Sequence, residues 1–250
     1  MSVWAILVAA GRGERLGLDR PKAFAKLGEE PLLAEPLRRL EACPWVDGIV
    51  LVAPPRWEEP AILVAEEEGC GKVHACVTGG ETRSDSVRAG LAEVPADALV
   101  VLVHDAARPL VSDEVVERVL APLSEGWDGV VPGLAVGDTL KRVGSDGAVQ
   151  ETVARDGLWA VQTPQAFAAD VLRRAHSASN KLLQATDCAG LVEAAGGRVK
   201  VVDGDPRLLK VTSEADLETV AGWRCPSSYS TSARRWSTKR ARTRVGRRRA

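Results

Sequence analysis

What the chain lacks narrows its class before any motif is read. Its 250 residues contain no apolar run of the ~18 or more that a membrane span needs. The opening residues go straight into a strand pattern, without the basic-then-apolar layout of a secretory leader. The five cysteines, at 43, 70, 76, 188 and 225, are odd in number and include no C-x-x-C pair. That argues against a disulfide framework or a structural zinc site, and for small core residues in a reducing cytoplasm. No serine or cysteine stands in a nucleophile elbow, so a Ser/His/Asp or Cys/His hydrolase has no support. Positive charge is scarce where a nucleic-acid binder would need it: residues 1–222 carry 23 basic against 34 acidic side chains, a net of −11. An acidic body of this kind is not expected to bind nucleic acid, and any anionic substrate must be met by local cations. The overall charge returns to −1 only through residues 223–250, with ten Arg or Lys and no acid. This Ser/Thr/Arg-rich tail has no apolar periodicity and reads as disordered.

What is present reads as an α/β domain. Short apolar runs at 3–8, 48–53, 72–77, 98–103 and 129–134 alternate with helical patterns at 31–42, 58–68, 82–94, 112–123, 169–177, 187–195 and 213–222. Short strands are expected at 198–202 and 208–212. The alternation predicts a Rossmann-like, mostly parallel sheet with helices on both faces. Val136 to Val153 breaks the rhythm, alternating about the turn Ser145-Asp146-Gly147, and predicts an inserted β-hairpin arm. Such an arm serves as a lid, a subunit clasp or a simple excursion. The expected organisation is one domain over 1–222, an arm at about 136–155, and the basic tail over 223–250.

Chemistry concentrates first where the opening strand runs into Ala9-Ala10-Gly11-Arg12-Gly13-Glu14-Arg15-Leu16-Gly17, with Pro21-Lys22 close behind. Glycines allow converging backbone amides, and Arg15 and Lys22 add two cations, which together suit a polyphosphate. The third glycine arrives one residue late for G-x-G-x-x-G, and the second strand ends in Pro54-Pro55 where a ribose-binding acid is needed. The loop therefore points to a nucleoside triphosphate rather than a dinucleotide, with an ordinary strand-to-helix turn as the plain alternative.

At the same sheet edge lie Gly79-Gly80-Glu81-Thr82-Arg83-Ser84-Asp85-Ser86 and His104-Asp105-Ala106-Ala107-Arg108-Pro109. The first gives close approach for a base or ribose, with hydroxyls at Thr82 and Ser86 and Arg83 as a brace. Asp105 either caps a turn or gives Mg²⁺ a hard oxygen that shares the metal with phosphate; His104 reads as packed rather than catalytic. Polar clusters recur at Asp138-Thr139, Thr152 to Arg155, Gln162 to Gln165, Thr186-Asp187 and Leu209 to Thr212. Among them, Arg155 and Lys210 are cations suited to phosphate.

Taken in order, the glycine loop, Pro21-Lys22, the 79–86 segment, His104 to Pro109, Asp138-Thr139, Thr163-Pro164-Gln165 and Lys210-Val211-Thr212 resemble the 2-C-methyl-D-erythritol 4-phosphate cytidylyltransferase family over residues 3–222. The resemblance implies a nucleotide-diphospho-sugar transferase type of fold and a homodimer clasped by the hairpin. It also implies Mg²⁺, and transfer of a cytidylyl group from CTP to a small polyol phosphate with release of pyrophosphate. Carried over by motif, Arg15, Lys22, Arg155 and Lys210 are the catalytic set. Ala9, Ala10, Gly11, Gly13, Gly80, Glu81 and Ser86 surround CTP, with Asp105 at the metal. Arg108, Thr139, Arg155, Thr163, Thr186 and Lys210 receive the acceptor. Two positions depart from the family pattern: Leu208 stands where Asn is common, and Cys188 where an acid usually follows Thr-Asp. A ribitol 5-phosphate cytidylyltransferase and a non-catalytic nucleotide sensor are the competing readings, and neither a membrane nor a nucleic acid is an expected partner.

Overall fold

The side chains of each central strand alternate between two apolar layers, and that alternation decides which helices cover which face. The computed structural model describes residues 2–11, 13, 19–178 and 187–224. In chain order its elements are β1 (Val3–Val8), a 3-10 turn (Lys22–Phe24), β2 (Lys26–Leu27), β3 (Glu30–Pro31), α1 (Ala34–Ala42), β4 (Gly48–Ala53), α2 (Glu58–Glu67), β5 (Val73–Thr78), α3 (Arg83–Glu93), β6 (Val100–Asp105) and α4 (Asp113–Leu120). There follow a 3-10 turn (Ala121–Glu125), β7 (Gly129–Ala135), β8 (Leu140–Val143), β9 (Val149–Val153), β10 (Trp159–Val161), β11 (Gln165–Ala168), α5 (Ala169–Ala178), α6 (Cys188–Ala194), β12 (Val199–Asp203) and α7 (Glu214–Trp223).

On one face, Ala5, Leu7, Leu51 and Leu102 pack with Leu37 and Leu40 of α1, Val64 of α2 and Val115 and Val119 of α4. On the other, Ile6, Val50, Val52, Val101 and Val103 meet Val87 and Leu91 of α3, Leu172 and Ala175 of α5, and Leu191 and Val192 of α6. Every residue of β4 and β6 is buried, as a strand covered on both sides requires. A third cluster of Leu27, Leu32, Leu110, Val211 and Val220 seats α7 against β2.

The main sheet runs β10-β7-β11-β6-β1-β4-β5, with β12 also paired to β7. The ladders β1–β4, β1–β6, β4–β5 and β7–β12 are parallel. Those of β11 with β6 and β7, and of β10 with β7, are antiparallel. The sheet is Rossmann-like and flanked by helices as expected, with parallel ladders through its centre and antiparallel ones where β10 and β11 join. β11 is hard to read from sequence: four residues opening on a polar Gln165 and running directly into α5 leave little strand signal, yet Ala166 and Phe167 are fully buried between β6 and β7.

Residues 208–212 are the expectation that the structure overturns. Leu208 and Val211 are buried, but the segment is not a strand: the Leu208 N–H donates to Asp205 O and the Val211 N–H to Ala107 O. Its apolar pattern reflects packing of Leu208 into the main core layer and of Val211 under α7, with no ladder to join. The helix expected from 31 begins at Ala34, because Glu30 and Pro31 pair with Leu27 and Lys26 in a small hairpin. The inserted hairpin is present as β8 and β9, a separate two-stranded sheet.

Candidate active site

The carboxyl ends of β5, β4, β1 and β6 lie side by side, and the loops leaving them enclose a cavity of about 1010 Å³. Ligands of open α/β sheets bind at that edge. Ala9, Ala10, Gly11 and Lys22 line it from the first loop, Gly80 and Glu81 from the loop before α3, and Ser86 from the first turn of α3. The two loops touch: a Cβ on Gly79 would lie 2.2 Å from that of Ala10. Only a glycine permits this approach. Ser86 is buried, and its hydroxyl accepts from the Gly80 N–H (3.1 Å) and donates to Thr82 O (3.0 Å), so it fastens the loop. Gly13 sits at φ +71°, and a Cβ there would come within 2.7 Å of Lys22 Cβ, so Gly13 packs directly onto the lysine. Lys22 Nζ in turn donates to Val211 O at 2.9 Å, tying the first loop to the segment that carries Lys210.

A second cavity, of about 230 Å³, adjoins the first and is lined by Arg108, Thr163, Gln165 and Asp187 among others. Three residues line both: Arg83, Asp105 and Lys210. Asp105 Oδ1 accepts from Arg83 Nε at 2.9 Å, and its Oδ2 from Lys210 Nζ at 2.8 Å. Burial opposes the charge of this carboxylate, but Arg83 and Lys210 prevail and hold the carboxyl far below its ordinary range. Arg108 is mostly buried; it donates to Leu208 O and Val161 O, while its buried Nε has no partner. Gln165 Nε2 donates to Asp187 Oδ2 at 2.7 Å, and Asp187 caps α6 by accepting from the Gly190 N–H.

Behind Asp105, burial pushes the imidazole of His104 down to about 4, so the ring is neutral. Its Nε2 lies 3.0 Å from Arg108 O, which can only accept, so Nε2 carries the hydrogen. Nδ1 then accepts from Thr163 Oγ1, and that oxygen accepts the Asp105 N–H, both at 3.1 Å. Thr163 thus lies in the wall of the second cavity, with its hydroxyl spent on fixing Asp105.

Not every expected residue converges here. Thr139 and Arg155 are exposed at the base of the hairpin and line neither cavity; Arg155 Nη1 donates to Gly137 O. Arg15 and Thr186 lie outside the described residues. Among the described residues no group of three or more His, Cys, Asp or Glu could hold a metal ion. Arg83, read from sequence as a loop brace, instead reaches across to Asp105 on the next motif. Gln165 and Asp187 stood in motifs of the family resemblance, Thr163-Pro164-Gln165 and Thr186-Asp187, but carried no role of their own.

A Rossmann-like sheet whose glycine loops open a cation-lined cavity, with a smaller one against the same wall, defines a nucleotidyltransferase. A family model, that of IspD (2-C-methyl-D-erythritol 4-phosphate cytidylyltransferase), matches residues 3–222. The curated enzyme of that name from Saccharopolyspora erythraea is 47% identical over 220 residues, covering 87% of this chain and 96% of the relative. The crystal structure of the Thermus thermophilus enzyme superposes with a TM-score of 0.71 at 35% identity, over 87% of this chain and 96% of that one. That of the Francisella tularensis enzyme gives 0.76 at 29% identity, over 89% and 99%. The chain belongs to the 2-C-methyl-D-erythritol 4-phosphate cytidylyltransferase family.

Proposed function

We propose that the larger cavity receives CTP and the smaller one 2-C-methyl-D-erythritol 4-phosphate, and that the chain transfers the cytidylyl group between them. The products are 4-diphosphocytidyl-2-C-methyl-D-erythritol and pyrophosphate. The observation that carries this reading is the shared wall: both cavities end on Arg83, Asp105 and Lys210. An oxygen of the acceptor phosphate forms the new bond to the α-phosphorus. The bond to the bridging oxygen breaks, and its electron pair leaves with pyrophosphate. A phosphate oxygen is already nucleophilic near neutral pH, so the barrier is the approach of two anions in line. Lys22 and Arg15 answer the charge on the triphosphate, Lys210 and Arg108 that on the acceptor, by positioning and electrostatics.

Magnesium fits this site in one way. Asp105 is the single carboxylate in the shared wall, and its oxygens already face Arg83 and Lys210. An ion here would depend on triphosphate oxygens and water, with Asp105 the carboxylate on the side shared with the acceptor cavity and Asp19 and Glu81 elsewhere in the wall of the larger cavity, the manner usual for Mg²⁺. When bound it supplies charge neutralisation on the phosphates.

Thr139 and Arg155 take a role on the acceptor only if the hairpin reaches a second copy of the chain. The edge strand β10 supports a homodimer: Trp159 is 40% exposed and Val161 39%, on a strand paired along one side only. We assign one domain with the hairpin as its arm. It runs past the expected boundary at 222, because α7 ends at Trp223 and Arg224 pairs with Glu30 and Glu35, while residues 225–250 of the basic segment lie outside the described residues. We also assign a cytoplasmic location. Among the described residues no helix is long and apolar enough to cross a membrane, and Cys43, Cys70, Cys76 and Cys188 are free thiols.

The test is pyrophosphate release from CTP and Mg²⁺ with 2-C-methyl-D-erythritol 4-phosphate, beside ribitol 5-phosphate. Release with the first acceptor alone is expected; release with ribitol 5-phosphate alone would overturn the acceptor. Arg155→Ala is expected to raise the KM for the acceptor about tenfold or more, the loss of a charge-assisted contact. An unchanged acceptor KM would remove the arm from the site. Gly13→Ala places a side chain where φ is +71° and Lys22 Cβ is 2.7 Å away. It should cost about 1 kcal/mol of stability in urea titration. Because it displaces the lysine, it should also lower kcat by at least about tenfold, the scale on which small misplacements are felt.

A further inference from the structure

Arg83 is the residue of the shared wall for which the chemistry above has no direct use. It begins α3, but the helix start does not depend on it. Thr82 and Asp85 form a complete capping box, with the Asp85 N–H on Thr82 Oγ1 at 3.0 Å and the Thr82 N–H on Asp85 Oδ2 at 3.2 Å. Its side chain runs inward, three-quarters covered, and places both Nε and Nη2 at 2.9 Å from Asp105 Oδ1. The remaining nitrogen, Nη1, faces Cys188 Sγ at 3.6 Å. A buried thiol is a weak acceptor, so nearly all of the guanidinium's charge is directed to Asp105.

Asp105 is thereby divided. One oxygen belongs to Arg83 and the other to Lys210, whose side chain is 40% exposed. The three groups carry a net charge of +1 facing both cavities. Without Arg83 the remaining pair would be neutral, and the whole carboxylate would fall to Lys210. The ammonium would then be held against Asp105 and withheld from an incoming phosphate.

We infer that Arg83 is a positioning residue for cytidylyl transfer: it competes with Lys210 for the Asp105 carboxylate, so that Lys210 stays placed at the wall yet free to turn to the acceptor phosphate. This rests on the two-cavity reading of the reaction. Arg83 acts through Asp105 and Lys210, so its loss should appear in kcat and in the acceptor KM, and not in the binding of CTP.

The experiment compares wild type, Arg83→Met, Arg83→Lys, Asp105→Asn and the Arg83→Met/Asp105→Asn pair by pyrophosphate release. Arg83→Met is expected to lower kcat about 10²-fold with the KM for CTP changed less than about threefold, the scale of a misplaced group. Arg83→Lys should recover at least about tenfold of that loss, because a charge competing for Oδ1 is restored. In the Asp105→Asn background, Arg83→Met should cost less than about threefold more, since residues that act as a unit are not additive. Full additivity, or a CTP KM rising as far as kcat falls, overturns the inference.

A second readout needs no turnover: the rate at which Lys210 is reductively methylated, followed by peptide mass in the absence of substrates. Slower labelling in Arg83→Met than in wild type is expected, because Asp105 then holds the amine alone. Equal or faster labelling overturns the inference. Silence of the wild-type enzyme with CTP and the acceptor would instead refute the proposed reaction, and the labelling comparison would still decide the role of Arg83.

Discussion

Lys22→Ala is expected to lower kcat by about 10²–10³-fold, the cost of removing one preorganised donor from a developing charge, while CTP binding changes far less. Lys22 follows Pro21 and opens a 3-10 turn, so its backbone is fixed by local geometry. Its ammonium lies in the cavity wall and donates to Val211 O at 2.9 Å, which sets its direction across 189 residues of sequence. A cation held in this way costs little reorganisation when charge builds on the α-phosphate, so its contribution appears in the transition state more than in the ground state. The fold should tolerate the change. The hydrogen bond to the Val211 carbonyl is worth about 1 kcal/mol, against a domain stability of about 5–15 kcal/mol. Urea titration of the variant therefore separates lost chemistry from lost structure. A raised KM for CTP at unchanged kcat would assign Lys22 to uniform binding and contradict its role.

The residues legible in the sequence were those whose local pattern carries a physical requirement. β1, β4 and β6 are continuous apolar runs because both faces are covered, and such runs announce themselves. The helical patterns at 82–94 and 213–222 begin where the structure closes a capping box, at Thr82 and at Ser213. β11 and the turn-rich path of 208–212 were not legible. A four-residue strand between two others is defined by its neighbours, and Leu208 owes its burial to the main core layer, Val211 to α7 and the loop at Ala107.

The site divides in the same way. Glycines at 13 and 79 and the lysine at 22 stood out locally, and the geometry gives each a reason: a positive φ, a loop contact, a tether. The pairing of Asp105 with both Arg83 and Lys210 was hidden, because it joins residues 22 and 105 positions apart. Thr163 and Ser86 were visible as hydroxyls near a ligand, but only the hydrogen bonds reveal that both are engaged in holding the loops.

Acid should unfold the chain over a defined window, set by buried histidines. His104 is fully buried and neutral: burial pushes it from an ordinary 6.5 down to about 4, Asp105 and the hydrogen bond to the Arg108 backbone resist, and the charges of Arg108 and Arg83 assist. His176, on α5, is also buried and pushed down to about 4, by burial first and then by Arg88 and Arg83. A histidine whose folded value lies below its unfolded one takes up its proton in the unfolded chain first. Its stabilising contribution is complete above pH 6.5, is lost as the pH falls, and is gone by about pH 4. At 1.36 kcal/mol per pH unit, each such group accounts for up to about 3 kcal/mol, and the two together for about 6. The carboxylates cannot account for that window. Asp105 and Asp216, both held below their ordinary range, lose their contribution only as the pH drops beneath about 4. Urea titrations at pH 7, 5.5 and 4 should therefore show a fall of several kcal/mol, with unfolding setting in near pH 5. His104→Asn should flatten that slope by about half, whatever it does to stability at pH 7. A stability that stayed level from pH 7 to 4 would mean that these imidazoles keep their protons in the folded chain. The neutral His104 between Thr163 and Arg108 O, which fixes the peptide of Asp105, would then be wrong.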